Sequence, residues 1–368
     1  MPKGLYIHIP FCLKKCKYCD FISFTNKENQ FDKYLEALKR EAQEYNGEEI
    51  NTVFIGGGTP TILSCAQLSF LFEIINTNFE ISKNSEFTIE ANPKTVDKEK
   101  LSVLKKGGVN RISIGVQSFC DNELKSIGRV HKSKEAIKTA ELIKAFGGFD
   151  LNIDLMLSLP HQTEESLLKT LYKTVNLNPS HISCYSLILE EGTPLHNEYQ
   201  NNKFELLDDE DDRKLYHMAV DYLKNYGYSR YEISNFAKAN KECKHNLKYW
   251  SCDEYIGLGI AAHSYVNSER FYNASELDKY LRGEFHSKER ITLSLQDKMS
   301  EYIIMRLRLR DGIDENEFSR RFNSSFYSLY GDKIEKLIDA GLMQKNGNKY
   351  FLTDYGFDLS NTAMCEFV

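Results

Sequence analysis

Cys12, Cys16 and Cys19 place three thiols in one short loop, separated by three residues and then by two. An alternating apolar run, Leu5-Tyr6-Ile7-His8-Ile9, ends at Pro10 just ahead of them and reads as a buried strand that delivers the loop. Thiolates are soft ligands, and intervals this short let one loop fold its sulfurs around a single inorganic centre. Three protein thiolates are one fewer than an ordinary 4Fe-4S cluster takes, which leaves one iron open to a small-molecule ligand. The ferredoxin spacings carry a fourth nearby cysteine; here Asp20 follows Cys19. His8 with the three cysteines would instead make a Cys3His zinc site, and unrelated buried thiols are a third reading.

Gly56-Gly57-Gly58-Thr59-Pro60 follows the apolar run Thr52 to Ile55. Glycines there bring main-chain N–H and C=O groups close to a ligand with no Cβ in the way, although a plain tight turn reads the same. The string is neither a Walker loop nor GxGxxG. Glu90, Gln117 and Asp154 lie on or at the ends of further apolar runs, and each is ordinary taken singly. Cys243 to Trp250, CKHNLKYW, gathers the only Trp with His245, Asn246 and Tyr249. His is a common axial ligand of heme iron and aromatics offer a flat apolar wall, but a surface loop anchored by its Trp fits as well. The acidic run Glu205 to Asp212 reads as caps and dipole-offsetting carboxylates at a helix start.

The elements that must position these residues alternate. Strand-like runs at 5–9, 52–55, 86–89, 111–116, 151–156 and 181–187 are separated by helical patterns at 27–45, 66–76, 98–106, 134–146 and 164–175, with another at 209–226. Six such units fit in about the first 225 residues, which predicts right-handed βαβ connections and a parallel sheet. Polar residues and glycines recur where strands end, as a barrel with its site on the C-terminal face requires. A strand is expected at 228–233. Past Arg290 the period is helical at 299–309, 315–322 and 333–342, then two short strands flank Asn346-Gly347, a strong hairpin signal. The expected division is 1–228 barrel, 229–289 connecting segment and 290–368 a winged-helix-like domain.

At 368 residues and 41% hydrophobic content the chain suits one large domain and a smaller one. No apolar run reaches the ~18 residues of a membrane span, and the N-terminus lacks a signal peptide's regions. Nine cysteines, an odd number, point to thiols and metal in the cytoplasm rather than to disulfides. The net charge of −6 gives no general attraction to nucleic acid or anionic lipid. Arg306, Arg308, Arg310, Arg320 and Arg321 invite a nucleic-acid reading of the last domain. Residues 290–368 nevertheless carry eleven Lys and Arg against twelve Asp and Glu, where a DNA reader is basic.

CxxxCxYC directly after a first strand resembles the radical SAM superfamily, and YIHIPFCxxxCxYCDF is similar to its branch of oxygen-independent coproporphyrinogen oxidases and heme chaperones. The resemblance covers nearly the whole chain, including GGGTP, TIEANP, GVQSF, GRVH, NIDLMLSLP and YIGLGIAAHSY; Glu191 departs from it where relatives more often have Pro. It implies a partial (β/α)6 barrel. It also implies a 4Fe-4S cluster on Cys12, Cys16 and Cys19, with S-adenosylmethionine on the open iron. Gly57, Gly58 and Thr59 would hold the cofactor's amino group, and Glu90, Gln117, Arg129 and Asp154 its ribose and methionyl parts. Tyr6 and Tyr18 would flank it. HNxxYW, here His245, Asn246, Tyr249 and Trp250, marks the heme chaperone side of the branch and implies heme binding there. The oxidases carry a longer N-terminal extension and a further cysteine just after the third. Here Tyr6 has five residues before it and Asp20-Phe21 follows Cys19. The expected function is binding heme and passing it to acceptor proteins, with an electron donor for the cluster and a homodimer as further partners. The alternative is oxidative decarboxylation of coproporphyrinogen III.

Overall fold

A computed structural model describes residues 2–368. Six parallel strands run in chain order across the centre of one twelve-stranded sheet: β1 (Lys3–Ile9), β2 (Glu48–Gly57), β3 (Phe79–Ala91), β4 (Arg111–Gln117), β5 (Asp150–Leu157) and β6 (His181–Ser186). Helices α1 (Phe31–Ala42), α2 (Cys65–Asn78), α3 (Lys98–Lys106), α4 (Asp121–Ser126), α5 (Ser133–Phe146) and α6 (Glu164–Leu177) fall between them. α7 (Pro194–Gln200) and α8 (Asp209–Asn225) follow β6.

The local signals match. Ser64 and Gln67 form a reciprocal capping box at the start of α2, and Asp208 caps α8 by accepting the Asp211 N–H, so the acidic run does serve a helix start. The apolar stripe expected on α1 is the buried one: Phe31, Tyr34, Leu35, Leu38 and Ala42 all face the core.

β6 does not pair with β1, so the barrel stays open. β8 (Asn235–Ala237) runs antiparallel on β6 and carries β7 (Ser229–Arg230), while β9 (Tyr255–Leu258) runs parallel beside β1. β10 (His263–Val266), β11 (Glu269–Asn273) and β12 (His286–Thr292) extend the sheet beyond β9. The strand expected over 228–233 is cut to two residues. The buried Glu232 carboxylate accepts the Ser234 N–H at 2.9 Å, a local turn that competes with ladder pairing.

α9 (Lys244–Trp250) joins β8 to β9, so the segment read as a possible surface loop is a helix with His245 and Lys248 buried. α10 (Leu277–Arg282) precedes β12. A second core gathers around Tyr302, Phe318, Phe326 and Tyr350. It lies within α11 (Leu295–Leu307), α12 (Glu315–Phe322), α13 (Phe326–Asp339) and a small sheet of β13 (Ile313–Asp314), β14 (Met343–Asn346) and β15 (Lys349–Leu352). Gly347 turns the hairpin with φ +57°.

The arginines there are committed within the protein. Arg321 donates to Ser251 O at 2.8 Å and to Cys252 O, Arg310 pairs with Asp354 at 2.5 Å, and Arg308 pairs with Glu232 at 3.3 Å.

Candidate cofactor site

Parallel strands present their C-terminal ends to one face, and the candidate residues sit there. The cysteine loop is pinned back onto the barrel: the Cys12 N–H donates to Phe24 O at 3.0 Å, Phe24 N–H to Pro10 O at 2.7 Å, and Lys17 N–H to Ile127 O at 3.0 Å. All three cysteines and Tyr18 line one cavity of ≈ 140 Å³. Gly57, Gly58 and Thr59 after β2, Glu90 on β3, Gln117 on β4, Arg129 before α5 and Asp154 on β5 line the same cavity. Tyr6 does not; its hydroxyl meets His8 Nδ1 at 3.0 Å, one layer behind.

Gly57 is required twice over. Its φ is +104°, and a Cβ there would lie 2.4 Å from the His8 ring. Its N–H donates to Glu90 Oε2 at 3.1 Å. Gln117 is held at φ +67°, a backbone region that a non-glycine residue keeps only when its surroundings over-determine it. Burial, and then the nearby Asp154, push the Glu90 carboxyl up to about 8. Burial also raises Asp154, against hydrogen bonds from Ser113 Oγ at 3.0 Å and Asn152 Nδ2 at 2.6 Å. Two carboxyl groups in a dry cavity suit a ligand that brings hydroxyls or a positive centre.

Residues the sequence reading did not name complete the wall. Asn92 Nδ2 donates to Thr59 Oγ1 at 2.7 Å, and Asn92 Oδ1 accepts from Arg129, which also donates to Gly115 O and to Cys16 Sγ at 3.3 Å. A polar chain thus runs from Arg129 through Asn92 to Thr59, whose hydroxyl lies 3.7 Å from Cys12 Sγ. Arg129 Nε is buried with no partner. Ser113 and Tyr185 line the cavity too. The signal for Ser113 was present: it precedes Gln117 by four residues on one strand, which the period of two puts on the same face.

Burial raises the Cys12 thiol, and it pushes Cys19 up to about 11, so a positive metal centre must supply what favours the thiolates. Among the described residues no three His, Cys, Asp or Glu side chains converge on a point fit for a single metal ion. His8 is committed on both nitrogens, to the Tyr6 hydroxyl and to Ile22 O at 2.9 Å. That disposition disfavours the Cys3His zinc reading. It fits a cluster, whose irons occupy separate corners and meet one cysteine each.

The HNxxYW residues are not gathered on one cavity. Asn246 lines a second chamber inside the barrel, whereas His245 is buried with Nδ1 at 2.9 Å from Thr52 Oγ1 and Nε2 at 2.8 Å from the Tyr249 hydroxyl. Phe54 stacks on its ring, with centroids 5.3 Å apart. Trp250 lies under the Arg308 guanidinium at 4.4 Å. An imidazole with both nitrogens engaged is not an open axial ligand, which differs from the expectation for His245. The reason is tertiary: β2 supplies a hydroxyl where the helix delivers the ring.

A half-barrel whose first strand opens into a three-cysteine loop is the architecture of the radical SAM superfamily, whose family description matches residues 6–172; the HemN C-terminal domain matches residues 293–359. The chain is 36% identical to heme chaperone HemW of Bacillus subtilis over 100% of its own length and 99% of that protein. It is 33% identical to heme chaperone HemW of Escherichia coli over 96% of its own length and 95% of that protein. The chain belongs to the HemW family. The coproporphyrinogen III oxidase HemN of Escherichia coli shares the fold, with a TM-score of 0.87 over 100% of this chain and 90% of that one at 24% identity.

Proposed function

We infer that this protein is a heme chaperone that carries a 4Fe-4S cluster with S-adenosylmethionine, binds heme and transfers it to acceptor proteins. The observation that carries this reading is full-length likeness at 33–36% identity to relatives named heme chaperone HemW, joined to the three-cysteine cavity. Cys12, Cys16 and Cys19 each ligate one iron, and the fourth is left to the cofactor, which supplies either a radical or a gate for heme transfer. Glu90 and Asp154 accept from ribose hydroxyls, the Gly57–Thr59 backbone holds the amino group, and Arg129 holds the carboxylate. Residues 1–228 form the cofactor barrel, 229–289 contribute to heme binding and 290–368 cover the barrel. Nine free cysteines suit a reducing cytoplasm. An electron donor for the cluster, and a homodimer, complete the partners.

Anaerobic reconstitution followed by heme titration tests the reading. A Soret band that shifts and saturates with protein is expected; an unchanged heme spectrum overturns it. Protoporphyrinogen formation from coproporphyrinogen III in an anaerobic assay would assign the oxidase activity instead, and none is expected.

A further inference from the structure

The second chamber, ≈ 330 Å³, lies inside the barrel and shares Glu90, Ser113, Asp154 and Tyr185 with the cofactor cavity. Phe21, 62% exposed, lines both, so the two spaces share a rim residue that faces solvent. The walls of the chamber are polar where a barrel core is usually filled by branched apolar side chains. Asn152, His181, Asn235 and Asn246 line it.

Arg111 sets its character. The residue is 4% exposed and opens β4, where it is the ladder partner of Thr88 on β3. Its one hydrogen bond runs to Lys241 O at 3.1 Å, and no carboxylate lies within ion-pairing distance of it among the described residues. The acids that act on it from further away are spent elsewhere. Glu86 accepts from Cys243 Sγ and from the N–H groups of Lys244 and His245, and Asp150 pairs with Lys241 at 2.8 Å. Buried guanidinium groups are normally paired, because an unpaired buried charge is costly. Beside it the Thr88 hydroxyl, fully buried, has no partner, and neither has Asn235 Oδ1. His181 brings no compensating charge: its ring is bonded to Asn152 Oδ1 at 2.6 Å and to the Tyr231 hydroxyl at 2.8 Å.

We propose that this chamber binds a carboxylate on a short alkyl chain, with Arg111 as its counter-ion and the Thr88 hydroxyl as a second donor. A forked guanidinium with free N–H groups matches a carboxylate in geometry as well as charge. Asn235 Oδ1, an acceptor, takes a water that accompanies the ligand. The volume admits an arm of this kind but not a tetrapyrrole ring. On the reading of the protein as a heme chaperone, the source is a propionate arm of heme inserted past Phe21 while the macrocycle stays at the rim. A free short-chain carboxylate would use the same chemistry.

The test compares heme with its dimethyl ester on the full-length protein by Soret titration under anaerobic conditions. Thermal shifts with propionate, and the variants Arg111→Lys and Arg111→Met, run alongside. Heme is expected to bind the wild type about tenfold or more tighter than the ester, with that advantage lost in Arg111→Met and partly kept in Arg111→Lys. Equal binding of heme and ester, with propionate raising the melting temperature only where Arg111 is present, assigns the site to a free carboxylate. Equal binding of heme and ester with no Arg111-dependent response to propionate overturns the proposal and leaves heme binding standing. Absence of heme binding with an Arg111-dependent propionate response does the reverse, and absence of both overturns the site. The ester comparison needs no variant, so misfolding of Arg111→Met would not blunt it.

Discussion

The Thr52 hydroxyl on β2 and Nδ1 of His245 on α9 stand 2.9 Å apart, so the histidine of the HNxxYW segment is tied to the wall of the barrel. Its other nitrogen is held by the Tyr249 hydroxyl, and burial pushes the imidazole down to about 3. His245→Ala therefore removes two buried hydrogen bonds and opens a void under Phe54. It is expected to lower stability by about 2–4 kcal/mol, read as a drop in the denaturant midpoint. A variant as stable as the wild type would show that the ring does not bind the barrel as described.

The three cysteines of the loop and Cys243 make a contrast. Cys243 is buried, raised to about 12 by burial, and donates to Glu86 Oε1 at 3.3 Å, far from the cluster loop in the chain. Alanine at Cys12, Cys16 or Cys19 is expected to abolish or sharply reduce iron and acid-labile sulfide after anaerobic reconstitution. Cys243→Ser should retain both. Normal iron content in the Cys16→Ala protein would refute the ligand assignment.

Gly57→Ala should damage the cofactor cavity without touching a charged group. The added methyl would sit against the His8 ring at a φ of +104°, a conformation costing on the order of 1–3 kcal/mol for a residue with a side chain. Equilibrium dialysis should show weaker retention of S-adenosylmethionine. Thermal unfolding should fall in parallel.

Glu41 on α1 ties the helix to the far side of the sheet. Its oxygens accept from Gly259 N–H at 2.8 Å, from Asn273 Nδ2 at 2.5 Å and from the Tyr280 hydroxyl. Burial outweighs these bonds and pushes the carboxyl up to about 7 from 4.5. The folded protein holds this proton more tightly than the unfolded chain does. Its contribution is therefore fully present below about pH 4.5 and is lost as pH rises through 7, a change of about 3 kcal/mol at most. Urea midpoints should decline over that window, and Glu41→Gln should flatten the decline while being less stable at low pH.

Arg308 closes the C-terminal domain onto the barrel by pairing with buried Glu232 at 3.3 Å and covering Trp250. Arg308→Ala leaves that carboxylate buried and unpaired, a loss of about 3–5 kcal/mol by comparison with other broken buried pairs. Faster proteolysis near residue 290, with no change in binding to random duplex DNA, is the expected result.

The sequence alone determined the alternation of strands and helices, the open parallel barrel, the cysteine loop and the residues that share its cavity. Those features follow from short-range rules: a period of two or 3.6, a cap, a glycine where a Cβ cannot fit, and strand ends facing one way. It could not decide what the barrel interior holds. Arg111 on β4, Thr88 on β3, Asn235 on β8 and Asn246 on α9 meet only because an open barrel brings distant segments around one chamber. The same holds for His245, which looks like a free ligand in the chain and becomes a satisfied buried ring once β2 is beside it. Whether a polar group is spent or available depends on partners far away in sequence, and only the tertiary structure supplies them.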